Sequence, residues 1–243
     1  ILIDLSAGYT ILIHMKMTGH LLFGEYVKKV TTDNTPFVTT WEPKNEGPLK
    51  DPYNRFIRVV FTLSNGKHLA FCDSRKFGKI TLLKTSEAHD TKHLFGLGPE
   101  PLDTSFDYEL FIKRIAQRPR GKIKSILMDQ TIIAGIGNIY SDEMLWSSSI
   151  HPESSPEKIP PKQMKILFTS MKEVLSKGIQ FGGDSTSDYR NIDGLPGAFH
   201  HHHNVYRRKG ELCGKRGCSG VILRKIIGGR SAHFCPEHQT LYK

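Results

Sequence analysis

"CGKRGCSGVILRKIIGGRSAHFCPEH", residues 213–238, decides how the end of this chain folds. The chain has four cysteines, and three of them fall in this stretch. Cys213-x4-Cys218 and Cys235-x2-His238 are two ligand pairs, and their separation suits a β-hairpin folded over one tetrahedral zinc. Thiolate and imidazole are the donors zinc prefers, and four protein ligands leave no open position for water, so the expected ion is structural. The first pair is wider than the common C-x2-C, which leaves a neighbouring residue free to replace one ligand. His233 is the nearby competitor, but it stands two residues from Cys235, a spacing that chelates poorly unless the strand bends. Gly228-Gly229 mark the hairpin tip and Arg230 follows them. A metal-stiffened loop that projects a planar guanidinium suits bidentate phosphate contact, because little freedom is lost on docking.

Charge points the same way. The 243 residues carry a formal net charge of +10. Residues 201–243 hold nine Lys/Arg against Glu211 and Glu237, and "FIKRIAQRPRGKIKS" (111–125) holds six cations and no acid. Two basic patches suit a polyanion, since each neutralised phosphate releases counterions. No apolar run approaches the roughly 18 to 20 residues that span a membrane. The cysteines, with Cys72 isolated, do not form a disulfide framework, so a reducing cytoplasm is expected. The chain opens on Ile1 in the middle of a strand-like pattern, so a preceding segment is expected.

The remaining sequence divides in two. "YTILIHMKM" and "FIRVVFTLSNGKHLAFCDSRKFGKITLL" are rich in β-branched and aromatic residues, with Asn65-Gly66 placed for a two-residue type I′ turn. An antiparallel sheet or sandwich follows, interrupted by "TTDNTPFVTTWEPKNEGPLKDPYN", which reads as a long irregular connection. "GLGPEPLD" (96–103) marks a boundary, and helical periodicity begins beyond it. Thr104 or Ser105 is placed to cap a helix carrying Phe106, Leu110 and Ile115, which Pro119 ends. An apolar segment over 123–133 breaks at "AGIGN" before "IYSDEMLW". A helix opens at Pro160-Pro161 and buries Met164, Leu167, Phe168, Met171, Val174 and Leu175 until Gly178. The Gly-rich loop 182–203 is too long for a plain connector. In "AGIGN", Gly135 and Gly137 permit close backbone approach and Asn138 heads a helix, so the amide and the helix N-terminus together can hold a phosphate.

Several of these stretches together resemble the bacterial formamidopyrimidine-DNA glycosylases, over the whole chain. "IHMKMTGHL" resembles the family's strand with its lesion-site methionine, and "DSRKFG" its Arg-x-Phe wedge. "LGPEPL" resembles its domain junction and "MDQTIIAGIGNIYSDEMLW" its helix-two-turn-helix. "SDYRNIDGLPGAFHHHHNVYRRKGELC" resembles its lesion loop, with Tyr189, running into the zinc finger. The resemblance implies an α+β multidomain protein. Its parts would be an N-terminal antiparallel β-sandwich (1–98), a helical helix-two-turn-helix domain with the lesion loop (99–203) and a zinc-finger β-hairpin (204–243).

It also implies a monomeric cytoplasmic enzyme that everts and excises oxidised purines from double-stranded DNA and nicks the strand by β,δ-elimination. Met17, Arg75 and Phe77 would fill the space of the everted nucleotide. His14, Arg120, Lys124, Asn138 and Tyr189 would contact DNA, and Arg230 would grip the phosphate and assist the second elimination. Cys213, Cys218, Cys235 and His238 would hold zinc. The four histidines 200–203 read as a native variation of the loop.

There are departures. The family's nucleophile is an N-terminal proline, whose secondary amine can be neutral near pH 7. It forms a Schiff base at the sugar, a glutamate follows it, and a lysine precedes the strand that opens this chain. None of these is in the 243 residues, and by resemblance some 55 to 60 residues of a typical member precede Ile1. A family histidine before the Asn-Gly turn is replaced by Phe56 in "RFIR", so Arg55 or Arg58 is expected to take its contact. The ligand set is three cysteines and a histidine where four cysteines are usual. The alternatives to a purine-specific glycosylase are a DNA-binding relative without catalysis and a pyrimidine-selective, endonuclease VIII-like one. The Met17/Arg75/Phe77 set favours the purine branch.

Overall fold

The β-branched runs of the first hundred residues pair as two three-stranded antiparallel sheets. In one, β1 (Leu2–Asp4), β2 (Tyr9–His14) and β8 (Lys79–Lys84) lie in the order β1-β2-β8. In the other, β3 (Gly19–Gly24), β6 (Ile57–Thr62) and β7 (His68–Asp73) lie in the order β3-β7-β6. This computed structural model describes residues 1–31, 38–88, 96–186 and 188–243. Contacts divide the chain into two compact units, Ile1–His93 with Phe181–His200, and Leu94–Gln180 with His201–Lys243.

In the first unit, Leu22, Tyr26, Ala70 and Cys72 form a small core, closed by Trp41, Phe56, Ile57 and Val60. Burial pushes the Cys72 thiol up to about 11, so it serves as packing rather than as a nucleophile. Two expectations are corrected here. The connection after β3 is not irregular throughout: β4 (Tyr26–Thr31) and β5 (Val38–Pro43) pair antiparallel, because their β-branched residues favour extended chain. Residues 32–37 of that connection lie outside the described residues. The Asn65-Gly66 hairpin forms, but its turn is not type I′. Gly66 alone has positive φ (77°), its N–H donates to the Leu63 carbonyl at 3.0 Å, and Leu63 N–H donates to the Lys67 carbonyl at 2.9 Å. That is a three-residue loop with a glycine bulge, stabilised by the Asn65 Oδ1 acceptor for Lys67 N–H at 3.0 Å. A short helix α1 (Thr85–Ala88) follows β8.

In the second unit, α2 (Tyr108–Ile115), α3 (Ile123–Leu127), α4 (Asn138–Ser147) and α5 (Pro161–Gln180) surround one apolar core built on Phe106, Phe111, Ile126, Leu127, Met144 and Leu167. Met164 and Met171 are buried there as expected. The cap of α2 is Asp107, whose carboxylate accepts the Leu110 N–H at 2.8 Å, and not Thr104 or Ser105. Ser105 is already engaged: both its N–H and its hydroxyl bond to Asp103 at 2.9 Å. Nor does Gly178 end α5, which runs on to Gln180. A Cβ at Gly178 would fall 2.8 Å from the Tyr140 ring, so this glycine lets α5 close against α4. The finger strands β9 (Leu223–Ile227) and β10 (Arg230–Phe234) complete the unit.

Candidate nucleic-acid interface and metal centre

The finger forms around its four expected ligands. One donor atom each from Cys213, Cys218, Cys235 and His238 lies within 4.8 Å of the others, the one such cluster among the described residues. His238 Nδ1 is 3.2 Å from Cys213 Sγ, while its Nε2 bonds the Trp146 carbonyl at 3.1 Å. That second bond fixes the ring and turns Nδ1 toward the sulfurs, as a metal-bound histidine requires. The Trp146 indole N–H donates to Cys213 Sγ at 3.3 Å and Gly220 N–H to Cys218 Sγ at 3.4 Å, both favouring thiolates. Burial pushes the Cys235 thiol up to about 11, so a cation is needed to offset thiolates packed this closely. The site therefore fits a metal ion. His233 does not compete, because its ring sits 3.1 Å from the Asp142 carboxylate.

Helix α4 carries the finger. Asp142 accepts the backbone N–H of His233 at 2.9 Å, and the next residue, Glu143, accepts the N–H groups of Asn204, Val205 and Tyr206 at 2.9 to 3.0 Å. Two consecutive buried carboxylates thus hold both flanks of the finger. Lys124, expected at the DNA face, is fully buried: its ammonium pairs with Asp142 and donates to the Ser231 carbonyl at 3.1 Å. Burial pulls its pKa below the usual lysine range, against the opposing pull of Asp142. A buried ammonium with this pairing offers nothing to a phosphate; it ties α3 to α4 and β10.

The tip and the helix start are left open. Gly228 and Gly229 both have positive φ (57° and 74°), the two-residue turn that brings Arg230 opposite Ile227. Arg230 is exposed, and no ion pair among the described residues uses it. Helix α4 begins at Asn138 with Gly137 as its cap, so no side chain caps its first N–H groups. Asn138 Oδ1 is buried without a hydrogen-bond partner. Gln130 shapes the turn before it, accepting Gly135 N–H at 2.8 Å and donating to the Ile136 carbonyl at 2.9 Å. Arg120 is exposed in the segment before α3.

In the first unit, Met17, Arg75 and Phe77 come together at the surface. Arg75 Nη1 is 3.6 Å from Met17 Sδ, and its Cζ lies 4.7 Å from the Phe77 ring centroid. Met17 is 68% exposed and Phe77 54%, high values for large apolar side chains with no role in the core. His14 is half-buried, and its Nδ1 accepts Lys16 N–H at 3.2 Å, supporting the turn that leads to Met17. Arg58 Nε is committed to the Asp73 carbonyl at 2.8 Å, whereas exposed Arg55 stacks over Phe56 at 4.7 Å. The segment expected as a lesion loop packs on the β sheets. Phe23 N–H donates to the Ile192 carbonyl at 2.8 Å, Arg190 pairs with Asp51 at 3.2 Å, and Ser74 Oγ bonds Asp188 at 2.9 Å. Tyr189 is 42% exposed, its ring against Gly183. Residue 187 lies outside the described residues.

Known proteins share this arrangement. Residues 1–80 match the formamidopyrimidine-DNA glycosylase N-terminal domain and residues 97–190 the formamidopyrimidine-DNA glycosylase H2TH domain. The formamidopyrimidine-DNA glycosylase of Pelotomaculum thermopropionicum is 35% identical over 241 residues, 99% of this chain and 78% of that protein. The chain belongs to the formamidopyrimidine-DNA glycosylase family. Among solved structures, the MutM (Fpg) protein of Thermus thermophilus superposes with a TM-score of 0.76 at 30% identity, over 97% of this chain and 77% of that one. The wild-type Lactococcus lactis Fpg, solved with DNA containing N7-benzyl-Fapy-dG, superposes with a TM-score of 0.75 at 28% identity, over 97% and 76%.

Within this glycosylase fold the sequence reading missed the residues that position the exposed ones: Asp73, Gln130, Asp142, Glu143 and Trp146. For the first four the one signal is an acidic or polar side chain inside an otherwise apolar or basic stretch, and Trp146 carries no such mark.

Proposed function

We propose that this chain is a repair glycosylase that removes oxidised purines from duplex DNA by gripping its phosphates and everting the damaged nucleotide. The observation that carries this is the Met17, Arg75 and Phe77 cluster, two exposed apolar side chains gathered around one guanidinium. Such a set fills an emptied stacking position with the apolar groups while the guanidinium pairs with the orphaned base. Phosphate grip comes from the uncapped start of α4 with Asn138, from Arg230 at the finger tip and from exposed Arg120. His14 and Tyr189 add DNA contacts from the first unit. Lys124 acts through Asp142 instead of touching DNA.

The three functional parts along the chain are the sandwich (1–98), the helix-two-turn-helix region with its loop (99–203), of which Phe181–His200 belong to the first compact unit, and the finger (204–243). Cys213, Cys218, Cys235 and His238 would hold a structural zinc, which would fix the hairpin and supply no reacting group. Excision followed by β,δ-elimination through a Schiff base completes the reaction, with Arg230 assisting the second elimination. The setting is the bacterial cytoplasm, on chromosomal DNA, as a monomer; no helix among the described residues is long and apolar enough to cross a membrane.

The test is borohydride trapping with the protein carrying its native N-terminus and a duplex containing 8-oxoguanine. A covalent adduct is expected. Tight lesion binding with neither adduct nor base release would instead make the chain a binding relative, and a preference for oxidised pyrimidines would place it in the endonuclease VIII-like branch.

A further inference from the structure

Met17 and Phe77 reach the surface from two separate turns, and one carboxylate holds both. Asp73 closes β7 and is 1% exposed. Its Oδ1 accepts the hydroxyl of Thr18, the residue after Met17, and also the Arg75 N–H at 3.2 Å. Its Oδ2 accepts the Gly78 N–H at 2.7 Å, just past Phe77. Burial alone would push this carboxyl up, yet the bonds from Thr18, Gly78, Arg75 and Phe77 outweigh it and hold its pKa below the usual 3.8.

Both turns need such a tie. Lys16 (φ 54°) and Lys76 (φ 59°) each sit immediately before an exposed apolar residue in a left-handed conformation that lysine adopts only where its surroundings impose it. Gly19 and Gly78 bring the two turns onto the same ring: a Cβ at either would fall within 2.8 Å of a Phe71 ring atom.

We propose that Asp73 is the positioning residue of the wedge. Its carboxylate locks the turn carrying Met17 to the turn carrying Arg75 and Phe77, so that the three side chains meet DNA as one preformed body. This rests on the wedge reading of those three residues. A preformed body loses little freedom when it enters the stack, so Asp73 contributes to recognition of a vacated stacking position and not to general phosphate grip.

The experiment uses the full chain and two duplexes of one sequence, one intact and one with a tetrahydrofuran abasic site, with affinities from fluorescence anisotropy and melting temperatures in parallel. Phe77→Ala, Asp73→Asn and Thr18→Val are compared. Phe77→Ala and Asp73→Asn should each lower the preference for the abasic duplex about tenfold, and Thr18→Val about threefold, with intact-duplex affinity held within about twofold. Asp73→Asn combined with Phe77→Ala should lose clearly less than the product of the two single losses, because Asp73 acts in part through Phe77. A normal preference in a folded Asp73→Asn variant, or losses that multiply in the double variant, would overturn the proposal. Should Asp73→Asn melt below the assay temperature, Thr18→Val decides, and an unchanged preference there overturns it. An unchanged preference in Phe77→Ala would remove the wedge reading itself, and the role of Asp73 with it.

Discussion

The wedge turns and the finger solve one problem by different means. Each must present exposed side chains from tight turns, and each does so with buried carboxylates. In the wedge, Asp73 bonds only to groups on neighbouring strands and turns, so the frame closes as the sheets form. In the finger, two strands of five residues close a small core in which Trp146, Val205 and Ile222 pack beside the cysteines, and the frame is completed by four side chains that could hold a metal and by Asp142 and Glu143 of α4. If the proposed roles hold, the difference makes damage recognition and phosphate grip separately vulnerable. One is lost with a hydrogen bond, the other with a metal.

Metal removal should separate them most sharply. Chelation is expected to unfold the finger and weaken duplex binding by about 100-fold or more, since structural zinc supplies on the order of 10 kcal/mol to such modules. The β sheets should keep their melting transition; joint loss of both would break the comparison. Next in size is the buried pair. Asp142→Ala strands the Lys124 ammonium without its partner and should cost about 3 to 5 kcal/mol in denaturant unfolding of the helical unit. Lys124→Met should cost less overall if its role is structural, and a loss confined to DNA affinity would return Lys124 to the interface.

Arg230→Ala should reduce duplex affinity about tenfold or more and lower the salt slope by about one, without changing stability, since the side chain is exposed at the finger tip. The smallest effect lies at Glu153, where Lys122 at 2.7 Å and Lys225 of β9 at 2.5 Å hold the carboxyl at about 2, below its usual 4.5. A depressed pKa contributes stability above the unfolded value that is lost as pH falls. Wild type should therefore exceed Glu153→Gln in melting temperature at pH 6, with the gap closing between about pH 4.5 and 2. A gap that persists at pH 2 would show that the pair does not brace the finger.

Much of this was legible in the sequence where the signal was local. Ligand spacing gave the finger, Gly228-Gly229 its tip, and richness in β-branched and aromatic residues the sheets. Local signals also misled where tertiary partners intervened. Ser105 could not cap α2 once Asp103 had engaged its hydroxyl, and Gly178 stays helical because Tyr140 fills the space a side chain would need. Asn65 leaves the left-handed conformation to Gly66, changing the turn type without moving the hairpin. The carboxylates were illegible for a plainer reason. Asp142 meets His233 across 91 residues and Asp73 meets Thr18 across 55, and no pattern within either segment marks the other as its partner.

The most direct measurement places 2-aminopurine beside 8-oxoguanine in a duplex and follows its fluorescence as the protein binds. Eversion with side chains inserted in the gap predicts a rise on binding wild-type protein. It also predicts loss of most of that rise with Arg75→Ala/Phe77→Ala at saturating protein. A duplex that stays dark while bound, or brightens equally with both proteins, would contradict the account.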